Sequence, residues 1–226
     1  MIYYGVSKMK KIFFILSFSL VSNLYAQNLL EQGRDSQEIA PKGWDKIEAQ
    51  GDLNQDGKTD LVIFTKPHTP EKTEPSNDIS AENDFNQGIL AIYFGQDNGT
   101  FKLFKQYKEL LLASELTQID VGLKINRKGS LLIDIKADYV HGVGGIHDSY
   151  QYNYRYQNKD FYLIGKDVEK MDSHRDKLEK TSENYLTGKQ LVITDKALEG
   201  GNRKEKWHKL EKKPLEKLGE QGLYID

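Results

Sequence analysis

The sequence predicts a mainly β protein, built from antiparallel sheets with long loops and little helix. Three observations lead there. Residues 119–125 and 131–135 place apolar side chains at every second position, with Ile119, Val121, Leu123 and Ile125 before a turn at Asn126-Arg127-Lys128-Gly129 and Leu131, Ile133 and Ile135 after it. Tyr150, Tyr152, Tyr154 and Tyr156 alternate with Gln151, Asn153, Arg155 and Gln157. The run Leu61-Val62-Ile63-Phe64 is apolar at every position, the pattern of a central strand covered on both faces.

The first 26 residues read as an export signal. Lys8, Lys10 and Lys11 precede an apolar stretch from 12 to 21, and Leu24-Tyr25-Ala26 makes a small-residue exit before Gln27. The apolar stretch is too short for a permanent transmembrane helix. Met9 is an alternative start, because Met9-Lys10-Lys11 is already a basic opening. The chain has no cysteine, which excludes disulfides, thiolate metal sites and a lipid-modified cysteine at the cleavage point. Removing three lysines from 32 basic residues leaves 29 against 34 acidic ones, a formal charge of −5 that does not favour nucleic acid. The expectation is a soluble periplasmic or secreted protein with one domain over 27–226 and no membrane anchor after cleavage.

Along that domain, residues 27–41 are expected as a loose leader and Trp44, Ile47 and Ala49 as a first strand. Residues 66–87 hold Pro67, Pro70 and Pro75 among polar residues and are expected as an exposed insertion. Residues 89–94 are the next strand, and Asn98-Gly99 turns the chain into a strand through Leu103 and Phe104. Residues 117–165 form a four-stranded antiparallel meander of the size and order of a β-propeller blade. Residues 166–182 are charged and without period, which predicts a long loop or a poor helix. A hairpin around Thr187-Gly188, a late strand at 206–210 and a helical turn at 214–218 complete the C-terminal part, 183–226. Trp207 is expected in the core.

The stretch with the most chemistry lies between the first two strands. Asp52-Leu53-Asn54-Gln55-Asp56-Gly57-Lys58-Thr59-Asp60 carries oxygen side chains at alternate positions around one glycine. Such donors converge on a hard cation when the chain curls around it, and seven or so flexible oxygen ligands suit Ca2+ better than Mg2+. The expected ligands are Asp52, Asn54, Asp56, the carbonyl of Lys58, and Asp60. A loop closed by a bidentate Glu at its twelfth position would need an acid at Ile63, so this one closes early, on Asp60, and feeds a strand. With dissociation constants of roughly 10⁻⁴ to 10⁻³ M, millimolar calcium stabilises the fold by about 0.4–1.4 kcal/mol, a structural clip. The bland alternative is a solvated Asp/Asn/Gly turn.

Residues 51–62, read G-D-L-N-x-D-G-x-x-D-L-V, together with Tyr93-Phe94-Gly95 and Asn98-Gly99-Thr100-Phe101, resemble the FG-GAP/VCBS repeat family, whose repeats build propeller blades of the integrin type. The resemblance covers roughly 44–104. It implies calcium on the loop residues just named and carries no activity. Where a propeller shows several acidic loops at a regular period, this chain has one. With one such motif and its Phe161-Tyr162-Leu163-Ile164-Gly165 and Asn184-Tyr185-Leu186-Thr187-Gly188-Lys189 elements, the chain as a whole looks like small secreted bacterial proteins of unknown function.

Other constellations have plainer readings. His141, His147 and Asp148 flank a glycine-rich stretch that is a candidate metal or ligand site, or simply a strand connection. The tyrosine stripe is either an aromatic platform or a core face. The function expected is a calcium-binding, noncatalytic interaction module with a protein or glycan partner outside the cytoplasm. Competing expectations are a cell-envelope or extracellular hydrolase using His141, His147 and Asp148 in a cleft, and a structural subunit of an envelope assembly.

Overall fold

The computed structural model describes residues 29–68, 88–108, 110–112, 117–139, 145–198 and 201–224. The insertion expected at 66–87 falls mostly outside them, as do the export signal and His141. The described chain is mainly β. Its elements are β1 (Gln32–Gly33), α1 (Ser36–Ile39), β2 (Trp44–Gly51), β3 (Asp60–Pro67), β4 (Ile89–Gly95), β5 (Phe101–Lys108), β6 (Leu111–Leu112), β7 (Thr117–Ile125), β8 (Ser130–Tyr139), β9 (Ile146–Gln157), β10 (Asp160–Asp172), β11 (Lys177–Asn184), β12 (Lys189–Asp195), β13 (Lys204–Lys209) and β14 (Leu223–Tyr224).

Two antiparallel sheets share one core. The first has the order β1-β5-β4-β3-β2 and the second β13-β12-β11-β10-β9-β8-β7, while β14 and β6 pair in parallel. Val62, Phe64, Leu90 and Ile92 of the first sheet pack with Leu131, Ile133, Ile135, Tyr150, Tyr152 and Tyr154 of the second. The opposite face of β3 and β4 carries Leu61, Ile63, Ala91 and Tyr93 against Leu29 and Ile39 of the N-terminal segment. Both faces of β3 are therefore dry, which is why its sequence shows no alternation. The tyrosine stripe is core: Tyr150, Tyr152 and Tyr154 are buried, and Tyr156 sits in an aromatic cluster with Phe94, Phe104 and Phe161.

Four expectations are corrected. The described part of the N-terminal leader is built structure: Asp35 caps α1 by accepting from the Glu38 amide at 2.8 Å, Glu38 accepts from the Arg34 amide at 2.8 Å, and Ile39 is buried. The pattern Asp35-x-x-Glu38 is the sequence signal that marks it. Residues 166–182 are neither loop nor helix but the outer half of β10, a turn and most of β11, so the four-stranded meander continues to seven strands. No residue of that hairpin from 166 to 184 is fully buried, so its sequence carries no clear hydrophobic period. Residues 214–218 are extended rather than helical: the Leu163 amide donates to the Glu216 carbonyl at 2.8 Å and the Leu218 amide to the Phe161 carbonyl at 2.9 Å. The tail thus covers the edge that β10 exposes before β11 begins. Trp207 is 64% exposed, because it stands on the edge strand β13 with no layer over it.

Candidate functional site

Four of the five donors expected for an ion lie in the loop joining β2 to β3, and the fifth, Asp60, is the first residue of β3. Its direction is set by two left-handed residues, Gln55 (φ 61°) and Gly57 (φ 82°), and glycine alone takes the latter without strain. Asp52 accepts from the Gly57 amide through Oδ2 at 2.9 Å and from the Asp56 amide through Oδ1 at 3.2 Å. Asn54 Oδ1 accepts from that same Asp56 amide at 3.0 Å. Asp56 Oδ1 accepts from the Lys58 amide at 2.9 Å, and its Oδ2 from Asn54 Nδ2 at 3.2 Å. Short polar side chains bonding to nearby amides curl the backbone in this way.

Asp60 has a different place. It is fully buried, with Oδ2 accepting from the Leu53 amide at 2.8 Å and from the Asn54 amide at 3.4 Å, and Oδ1 accepting from the Gly95 amide at 2.9 Å. Burial pushes its carboxyl above the usual carboxylate range, against the pull of the three amides. Asp60 is a brace between the loop and the end of β4. Gly95 is required there, since a Cβ would fall 2.3 Å from the Thr59 carbonyl oxygen. The one trace of this bond in the sequence is the Phe94-Gly95 pair before the hairpin. On the surface, Lys58 reaches Asp97 at 2.9 Å, which raises the lysine's pKa.

The loop is also the joint between the sheets. Leu53 is buried in the shared core, and Gln55 Nε2 donates to the Lys128 carbonyl at 3.4 Å in the turn between β7 and β8. Gly129 in that turn packs so closely that a Cβ would lie 2.7 Å from the Asp52 carbonyl oxygen.

The expected ligand atoms are all oxygen, the chemistry a hard cation prefers, and here Asp52 Oδ1 and Asn54 Oδ1 converge on the Asp56 amide N–H. The same oxygens close the loop by accepting its own amides. Among the described residues no three His, Asp or Glu side chains stand gathered as a metal cage. Of the second candidate set, His147 is exposed and Asp148 is buried on the next position of β9, so the strand sends them to opposite faces. Asp148 Oδ2 accepts from the Tyr150 hydroxyl at 3.3 Å and lies 4.0 Å from Lys170 Nζ.

A further feature is the trough on the face of the second sheet that points away from the shared core, of about 650 Å³. One cross-strand row runs through Gly122, Asp134, Gln151, Asp167, Ser182 and Leu191. Within it Gln151 Nε2 donates to Asp134 Oδ1 at 2.6 Å. Against known proteins, the chain matches no family model, and neither a curated protein nor a solved structure is similar to it.

Proposed function

We propose that the protein is an exported, noncatalytic binding module in which calcium at 52–60 fixes the joint between the two sheets. The observation that supports this reading is that the oxygen side chains of Asp52, Asn54 and Asp56, at alternate positions, all turn into the curl of one loop, where they accept its amides. Asp52, Asn54, Asp56, Asp60 and the Lys58 carbonyl are the ligands in this proposal, as the FG-GAP/VCBS-like motif implies. Export rests on the basic, apolar and small-residue pattern of residues 1–26.

Neutralising the loop's carboxylates would remove their mutual repulsion and hold Gln55 and Leu53 against the β7–β8 turn. That turn leads into the strands that line the trough. The partner, a protein or glycan outside the cytoplasm, docks there in this reading, on carboxylate, amide and hydroxyl groups such as Asp134, Gln151 and Ser182.

Thermal melting in millimolar calcium and in chelator tests the first step. Stabilisation of about 0.4–1.4 kcal/mol corresponds to a rise of about 1–5 °C for a domain of this size. The Asp56→Ala variant is expected to lose that rise. Superimposed melting curves for the unaltered protein, with no heat of calcium binding by calorimetry, would refute the reading.

A further inference from the structure

β13 is the edge strand of the second sheet, hydrogen-bonded to β12 alone. Its Trp207 is 64% exposed, and Leu186, in the turn between β11 and β12, is 50% exposed. Both line one depression of about 720 Å³ together with Lys189, Lys209 and Lys212. The register sets Lys189 opposite Lys209 and Leu191 opposite Trp207, so Trp207 and the first two lysines project from one face. The three lysines are exposed and form no ion pair with a described residue. Residues 203–213 hold six Lys or Arg and two Glu, in a chain whose overall formal charge is −2.

Lysines on an edge strand guard against pairing with another sheet. That role accounts for the amines but not for an indole and a leucine left in water between them. Together they have the make-up of a surface that lies on a membrane: an indole for the headgroup layer, an aliphatic side chain for the acyl boundary, and amines for lipid phosphates. We propose that this end of the second sheet docks reversibly on an anionic phospholipid surface. Trp207 and Leu186 enter the interface, and Lys189, Lys209 and Lys212 meet the phosphates. Two inserted side chains make an adsorbed protein, not an anchored one.

The test is flotation of the full chain, in chelator so that calcium plays no part, with phosphatidylglycerol–phosphatidylcholine vesicles and with pure phosphatidylcholine vesicles. Binding is expected to the anionic vesicles only, released by salt, with a blue shift of tryptophan emission that disappears in Trp207→Ala. Replacing Lys189, Lys209 and Lys212 together by Gln should weaken binding about a hundredfold, and Trp207→Ala about tenfold. Neither variant should change the melting temperature, since all four positions are exposed. Failure to float, equal binding to neutral vesicles, or unchanged binding of both variants overturns the proposal. Retention on heparin without vesicle binding also overturns it and marks a soluble polyanion as the partner.

Discussion

β3 and β12 are both interior strands of antiparallel sheets, yet they draw their stability from different sources. Leu61, Val62 and Ile63 of β3 are fully buried, one face on the second sheet and the other on the N-terminal segment. Every residue of β12 from Gln190 to Asp195 remains partly exposed. The backbone ladder is the same in kind, with β12 paired to β11 on one side and to β13 on the other. The contrast separates the hydrophobic contribution from the contribution of strand pairing, because, of these two strands, only β3 removes large apolar areas from water.

A pair of truncations sets the two regions against each other. Ile92→Ala, in the fully buried part of β4 next to β3, is expected to cost about 2–5 kcal/mol, the lost transfer energy plus a cavity. Val192→Ala, in half-exposed β12, is expected to cost about 1 kcal/mol or less. Urea unfolding with an unchanged slope measures both. Equal losses would break the comparison, because β12 would then have to be covered by a layer on one of its faces.

The same contrast decides what could be read from the sequence. The apolar run at 61–64 and the alternation through 119–135 and 150–156 identified β3, β7, β8 and β9, since burial on two faces or one leaves a period of its own. Gly99, with φ of 74°, turns the chain at the hairpin where Asn98-Gly99 pointed. The outer hairpin of β10 and β11 is illegible because none of its side chains is fully buried and no period is imposed on them. Its register is held by backbone bonds to strands that sequence inspection cannot align. Residues 214–218 look helical in composition, and tertiary pairing to Phe161 and Leu163 overrides that local preference. In the loop, the curl around Gly57 was legible, whereas the role of Asp60 as a brace depends on Gly95, which is 35 residues away.

The brace sharpens the comparison through pH, since Asp60 puts a carboxylate into the dry region that β3 occupies. Its pKa in the fold is raised above the ordinary 3.8. The folded state therefore holds this proton more tightly than the unfolded chain, and the group's contribution to stability falls as pH rises from about 4 through the raised value. A cation at the loop would favour the charged form and reverse the slope. Asp60→Asn removes the titration and turns an NH2 toward one of the three amides, which should cost about 1–3 kcal/mol. Subtracting its urea stability from that of the unaltered protein, between about pH 4 and pH 6 in chelator, isolates the group. A difference that grows with rising pH under those conditions would contradict the raised pKa.

The smallest effect is expected where the outer strands are wettest. Lys180 Nζ lies 2.5 Å from Glu169 Oε2 across β11 and β10, with side chains 46% and 41% exposed. Water screens the attraction, and holding two long side chains in one geometry costs entropy, so a double-mutant cycle should give a coupling of about 0.5 kcal/mol or less that fades in salt. Both residues line the trough. A coupling well above about 1 kcal/mol that survives salt would mean that the pair is shielded from water. The trough of the second sheet would then be a covered surface, and the difference from β3 would be one of chemistry rather than of exposure.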